Sequence, residues 1–62
     1  MPVIEIKIWE GRTKEMKRKL IKETINTVAN VLGIEKDRIH VIITNVAKDD
    51  WGLKGDQASE VI

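Results

Sequence analysis

A proline directly behind the initiator methionine, an arginine in a glycine-flanked turn and a lone histidine in an apolar run are the residues best placed to do chemistry. Methionine is normally removed before a small second residue, which would leave Pro2 with a free secondary amine. A desolvated amine near cations is easier to deprotonate, so Pro2 can serve as a base near neutral pH. Proline also suits the start of an edge strand, where its missing N–H costs little. Arg12, in Glu10-Gly11-Arg12, carries a planar fork that matches a carboxylate bidentately; a solvated loop arginine is the plainer reading. His40 cannot build a metal site alone, but its imidazolium form can pair with an anion. Arg38 lies two residues earlier, on the same face if both belong to one strand. Trp9 and Trp51 can wall off water from such a site or anchor a subunit interface.

The elements that must position these residues are few. Residues 2–9 alternate, with Ile4, Ile6 and Ile8 on one face and Val3, Glu5, Lys7 and Trp9 on the other, the period-2 pattern of a strand. Thr13 is a good N-cap, and from Lys14 to Leu32 the apolar residues Met16, Leu20, Ile21, Ile25, Val28, Val31 and Leu32 form one broad helical stripe. Gly33 supplies a left-handed stop. A second strand is predicted from about Arg38 to Val46. Ile39, Val41 and Ile43 oppose His40, Ile42, Thr44 and Val46 along it, so both faces are largely apolar, as in a covered sheet. Strand, helix, strand predicts a right-handed βαβ crossover with parallel strands. Asp49-Asp50, Gly52 and Gly55 mark a turn or short hairpin over residues 47–55, and the tail from Asp56 to Ile62 is ambiguous.

The composition narrows the function classes. Sixty-two residues allow one domain, here residues 1–62, and a chain this short is marginal alone. With no cysteine and one histidine, bridges and zinc–thiolate sites are excluded, which leaves oligomerisation as the remedy. A net charge of +1 predicts no nucleic-acid or membrane partner. The basic residues Lys14, Arg18, Lys19 and Lys22 fall on the helix face opposite the stripe, interleaved with Glu15 and Glu23, as on a solvated face. Lys17 instead falls inside the stripe. No apolar run spans a bilayer and no signal-peptide core is present, so a cytoplasmic location is expected.

Several of these features coincide in one family. Pro2 opening the first strand, Glu10-Gly11-Arg12 between strand and helix, and Val41-Ile42-Ile43-Thr44-Asn45-Val46-Ala47-Lys48 followed by Trp51-Gly52 together resemble the small subunit of 4-oxalocrotonate tautomerase and its relatives. The resemblance covers essentially the whole chain. It implies a homohexamer built as a trimer of dimers, with sheets shared between subunits. It also implies cofactor-independent isomerisation of a small unsaturated 2-hydroxy or 2-keto acid, as in aromatic hydrocarbon catabolism. In that pattern the amino-terminal proline is the base and an arginine at the position of Arg12 grips the distal carboxylate.

At position 40 the chain departs from the family, whose best-studied members carry an arginine that polarises the substrate's carboxylate and carbonyl oxygen. Histidine offers a shorter and only partly charged clamp, and Arg38 is the candidate to assist it. Trp51 stands where phenylalanine is common, and Trp9 where leucine is common. The expectation is a 2-hydroxymuconate-type tautomerase with Pro2 as base, Arg12 from a neighbour, His40 or Arg38 at the other end, and Trp9 and Trp51 lining the site. The rival is a non-catalytic oligomeric scaffold or partner subunit of the same fold.

Overall fold

The computed structural model of the chain describes every residue from Met1 to Ile62. Strand β1 (Val3–Trp9) leads through the Glu10–Thr13 turn into helix α1 (Lys14–Leu32), and strand β2 (His40–Val46) returns beside β1. The two strands are parallel, in a register that sets Val3 against His40, Glu5 against Ile42, Lys7 against Thr44 and Trp9 against Val46. The expected βαβ unit is therefore present.

Local chemistry explains the boundaries of α1. The Thr13 hydroxyl accepts the Met16 backbone N–H at 3.2 Å, satisfying one donor that the first helical turn leaves unpaired. At the other end Gly33 adopts φ +64°, and the N–H groups of Gly33 and Ile34 both return to the Ala29 carbonyl. Such a left-handed stop suits glycine, which has no Cβ to clash.

Two boundaries differ from the sequence expectation. Lys36–Arg38 forms a 3₁₀ turn and β2 begins at His40, so Arg38 does not share a strand face with His40. The turn is closed by the Arg38 and Ile39 N–H groups bonding back to the Glu35 and Lys36 carbonyls. Local hydrogen bonding at Glu35-Lys36-Asp37 outcompetes strand extension there. Downstream, the hairpin runs two residues past the expected range. After a 3₁₀ turn at Lys48–Asp50, β3 (Gly52–Leu53) pairs antiparallel with β4 (Asp56–Gln57). Lys54 and Gly55, both at positive φ, make the two-residue turn between them, matching the twist of the strands. A last helical turn, α2 (Ala58–Val61), docks on the hairpin through the Ala58 N–H bonded to the Trp51 carbonyl at 2.7 Å. Ala58 is fully buried.

Helix α1 lies on the sheet face that carries Ile4, Ile6, Ile8, Val41 and Ile43, all half-buried. Lys17, the cation inside the stripe, is half-buried as well. The opposite face is bare: Val3 and Ile42 remain 56% and 49% exposed, between Glu5, Lys7, His40 and Thr44. Along the edge of α1, Met16, Val31 and Leu32 also stay open. Only Ala29, Ile39 and Ala58 are buried.

The shape agrees with this inventory. The radius of gyration is 14.5 Å and the extents are 42 × 24 × 14 Å, whereas a compact chain of this length measures about 10.6 Å. A flat slab with an open apolar face cannot offset its own ordering entropy by burial. The covered sheet that β2 requires has to be completed by other copies of the chain.

Candidate active site

The parallel register separates the candidate residues into two groups at opposite ends of the sheet. Pro2 and His40 meet at the first end, where the His40 backbone N–H donates to the Pro2 carbonyl at 3.1 Å. His40 is exposed on the bare face beside Val3, and Pro2 is half-buried. Met1 is 85% exposed. While Met1 is attached, that nitrogen is an amide and cannot act as a base.

Arg12, Trp9 and Trp51 gather at the far end. The Glu10 N–H donates to the Val46 carbonyl at 3.0 Å, pinning the turn that carries Arg12 against the end of β2. Arg12 itself is exposed. The Trp9 and Trp51 rings meet edge to face, with centroids 5.8 Å apart and planes at 75°, a geometry worth about 0.5–1.5 kcal/mol beyond simple burial. The Lys48 ammonium rests 4.9 Å from the Trp9 ring centroid, a contact worth about 0.5–1 kcal/mol at an exposed site. The Trp9 indole N–H is shielded from water and has no partner within the chain.

One chain thus brings Trp9 and Trp51 together and sets Pro2 beside His40, but it does not join the two groups. The seven residues of β1 separate Pro2 from the Arg12 turn, a span on the order of 23 Å at about 3.3 Å per residue. A base at Pro2 and a clamp at Arg12 can face one small substrate only if Arg12 comes from a neighbour whose β1 runs antiparallel. Arg38, exposed in the 3₁₀ turn, is placed by that turn and not by the strand register that places His40.

Two hollows accompany the far end. The larger, about 600 Å³, lies along the hairpin and is lined by Asp49, Asp50 and Asp56 with no cation, so it repels an acidic ligand. The smaller, about 420 Å³, opens on the bare face between Lys7, Thr44, Val46, Asp50, Trp51 and Gly52. No cluster of three or more His, Cys, Asp or Glu side chains capable of holding a metal ion is present. No helix is long and apolar enough to cross a membrane.

Lys48 is the residue that sequence reasoning passed over. It belongs to the stretch that carries the family resemblance, yet its place over Trp9 emerges only from the strand register that sets Val46 beside that ring. A lysine two residues past the end of a strand, with tryptophans on both flanking segments, was the available signal.

The geometry can now be set beside known proteins. The chain is 39% identical over 61 residues to a 2-hydroxymuconate tautomerase of Pseudomonas sp. (strain CF600), covering 98% of this chain and 97% of that one. It is 37% identical over 60 residues to a probable tautomerase of Staphylococcus haemolyticus, covering 97% of each. Among solved structures, a 4-oxalocrotonate tautomerase isozyme from Methylibium petroleiphilum superposes with a TM-score of 0.92 at 33% identity, covering 97% of both chains. A family model described as tautomerase enzyme matches residues 2–60, and on that match the chain belongs to the tautomerase family.

Proposed function

We propose that the chain is a cofactor-independent isomerase that moves a proton along a small unsaturated 2-hydroxy or 2-keto acid, with Pro2 as the base once Met1 is removed. The dienol of a dicarboxylate such as 2-hydroxymuconate is the substrate class. The observation that carries this reading is the position of Pro2 at the start of β1, half-buried and bonded through its carbonyl to the backbone of His40, whose side chain is exposed on the bare sheet face. The likeness to a 2-hydroxymuconate tautomerase supports the substrate class.

The chemistry follows from the charges. The amine takes the proton of the dienol 2-hydroxyl, and its conjugate acid returns one to a carbon of the same conjugated system. No atom is gained or lost. Negative charge develops on the 2-oxygen during the transfer, and a cation aimed at that oxygen lowers the barrier. His40 in its protonated form fills that role, and Arg12 from an antiparallel neighbour holds the distal carboxylate. Trp9 and Trp51 wall the site so that the amine stays neutral. Arg38 is a secondary candidate for the His40 end, since its turn precedes β2. The assembly that closes the site is a homohexamer, a trimer of dimers, which also covers Val3 and Ile42. It acts in the cytoplasm, with no nucleic-acid or membrane partner.

Mass spectrometry of the intact protein comes first, because an attached Met1 makes the chain a scaffold and not an enzyme. With Pro2 free, 2-hydroxymuconate or the enol of phenylpyruvate should ketonise faster with protein than without it. Equal rates for a Met1-free preparation would remove the catalytic reading and leave the scaffold.

A further inference from the structure

The aromatic pair at the far end of β1 presents a cation that the proposed mechanism does not use. Lys48 is exposed, its ammonium lies 4.9 Å from the Trp9 ring centroid, and Trp51 braces the same ring edge-on. A flexible four-carbon side chain loses much rotamer freedom when it is held, and the π face returns part of that loss. Trp9 thereby presents the ammonium on one side of its ring. It also carries a shielded indole N–H that finds no acceptor in the chain.

Topology carries this cation to the same end of the sheet as Arg12. The Glu10 N–H to Val46 carbonyl bond ties the two strand ends together. Arg12 stands two residues beyond Glu10 and Lys48 two residues beyond Val46, with Trp9 between the two segments. We propose that Lys48, positioned by Trp9, is a second cationic contact for the distal carboxylate, making the far end a two-cation subsite selective for dicarboxylates. The inference rests on the proposed reading of the site. The chain then recognises its substrate most strongly at the end remote from the chemistry, while His40 supplies only partial charge at the reacting end. The Asp50 carboxylate lines the adjoining hollow and sets a limit, because it disfavours any anion that strays from the two cations.

The test is equilibrium binding of a matched pair of inert probes. Muconate (hexa-2,4-dienedioate) and sorbate (hexa-2,4-dienoate) share a diene and differ in one carboxylate. Quenching of Trp9 and Trp51, the only tryptophans, reports their binding. Sedimentation verifies that each variant assembles as the parent does. Lys48→Met keeps the length of the stem and removes only the charge. It should weaken muconate about fivefold, as for loss of one solvent-accessible ion pair, and leave sorbate unchanged. Lys48→Arg should restore muconate binding, and Trp9→Leu should lower the preference for muconate over sorbate with Lys48 still present. Lys19→Ala, on the outer face of α1, removes the same charge at a distance and should change neither probe.

The proposal is overturned if Lys48→Met and Lys19→Ala weaken muconate equally, since the effect is then the field of the whole protein. It is equally overturned if Lys48→Met weakens both probes alike, or if the parent does not prefer muconate. Ketonisation is measured separately on the parent. Turnover with no effect of Lys48→Met on the preference defeats the subsite alone, whereas the predicted preference without turnover defeats the isomerase reading and leaves the subsite standing.

Discussion

The two ends of strand β1 are built to different degrees. At the end beyond Trp9, one chain supplies an aromatic pair, a cation over it, a short β3–β4 hairpin and a backbone bond that pins the Arg12 turn. At the Pro2 end, the His40 N–H bonds to the Pro2 carbonyl, no aromatic pair or hairpin is present, and the sheet face beside it is bare. The aromatic pair and the cation over it, ordered by one chain, are preorganised before association. Pro2 is only half-buried in the single chain, so its surroundings become low-dielectric only when neighbours arrive. In such an arrangement, folding, assembly and chemistry are linked by mass action.

The strongest way to break this comparison is to deny the bare face its cover. Ile42→Glu places a carboxylate in the middle of that face, where a buried unpaired charge costs several kcal/mol. The variant should disperse or unfold in sedimentation at micromolar concentration and lose all turnover. The aromatic pair, made within one chain, is then the feature that outlasts dissociation if any tertiary structure does. A folded parent monomer at the same concentration would contradict the argument from shape and exposure.

Next in size is the chemistry at the exposed end. Retaining Met1 removes the amine outright, and a positioned base contributes typically about 10²- to 10⁴-fold to rate. Turnover should fall by that order while muconate binding at the far end persists, which separates the two regions in one experiment. Pro2→Ala keeps a free amine of a different class and should also lose most of the rate.

The sequence revealed the built elements more readily than the relation between them. Alternation in Val3–Trp9, the Thr13 cap and the Gly33 stop locate β1 and α1, because each signal acts within a few residues. Arg38 was misread as strand because the bonds back to Glu35 and Lys36 compete locally with pairing, and residue types alone do not rank the two. The stripe on α1 is apolar as expected, but its own sheet covers only part of it. Met16, Val31 and Leu32 stay open in the single chain, since apolarity does not say which partner will cover it. Lys48 was harder to read for a related reason: its contact with Trp9 depends on the strand register that sets Val46 beside that ring, which residue types alone do not give.

His40 sharpens the comparison at intermediate size. His40→Arg makes the clamp permanent and bidentate, which should raise the rate; a single such donor is worth roughly 10²- to 10³-fold. Arg38→Ala should lower the parent rate only if Arg38 shares the role. A parent already fast, with a rate that His40→Arg leaves unchanged, would remove position 40 from the site.

The smallest expected effect tests the geometry most directly. Arg12→Ala removes a charged hydrogen-bonding fork from an exposed turn, so it should raise KM for a dicarboxylate about tenfold, at the low end for bonds to charged groups. Little change in kcat is expected, because the fork binds ground and transition states alike. Its placement in trans can then be read by mixing. Co-assembly of Arg12→Ala chains, which keep a free Pro2, with Met1-retaining chains, which keep Arg12, creates some sites that combine the intact base of one with the intact clamp of the other. Those sites should turn over with the parent's KM, although the Arg12→Ala assembly shows only the raised value and the Met1-retaining assembly is inactive. If Pro2 and Arg12 served one site from the same chain, no mixed assembly could contain an intact site, and the low-KM component would never appear. The separation of the two residues along β1 is too long for a same-chain site, so the low-KM component should appear on mixing and vanish when exchange between assemblies is prevented.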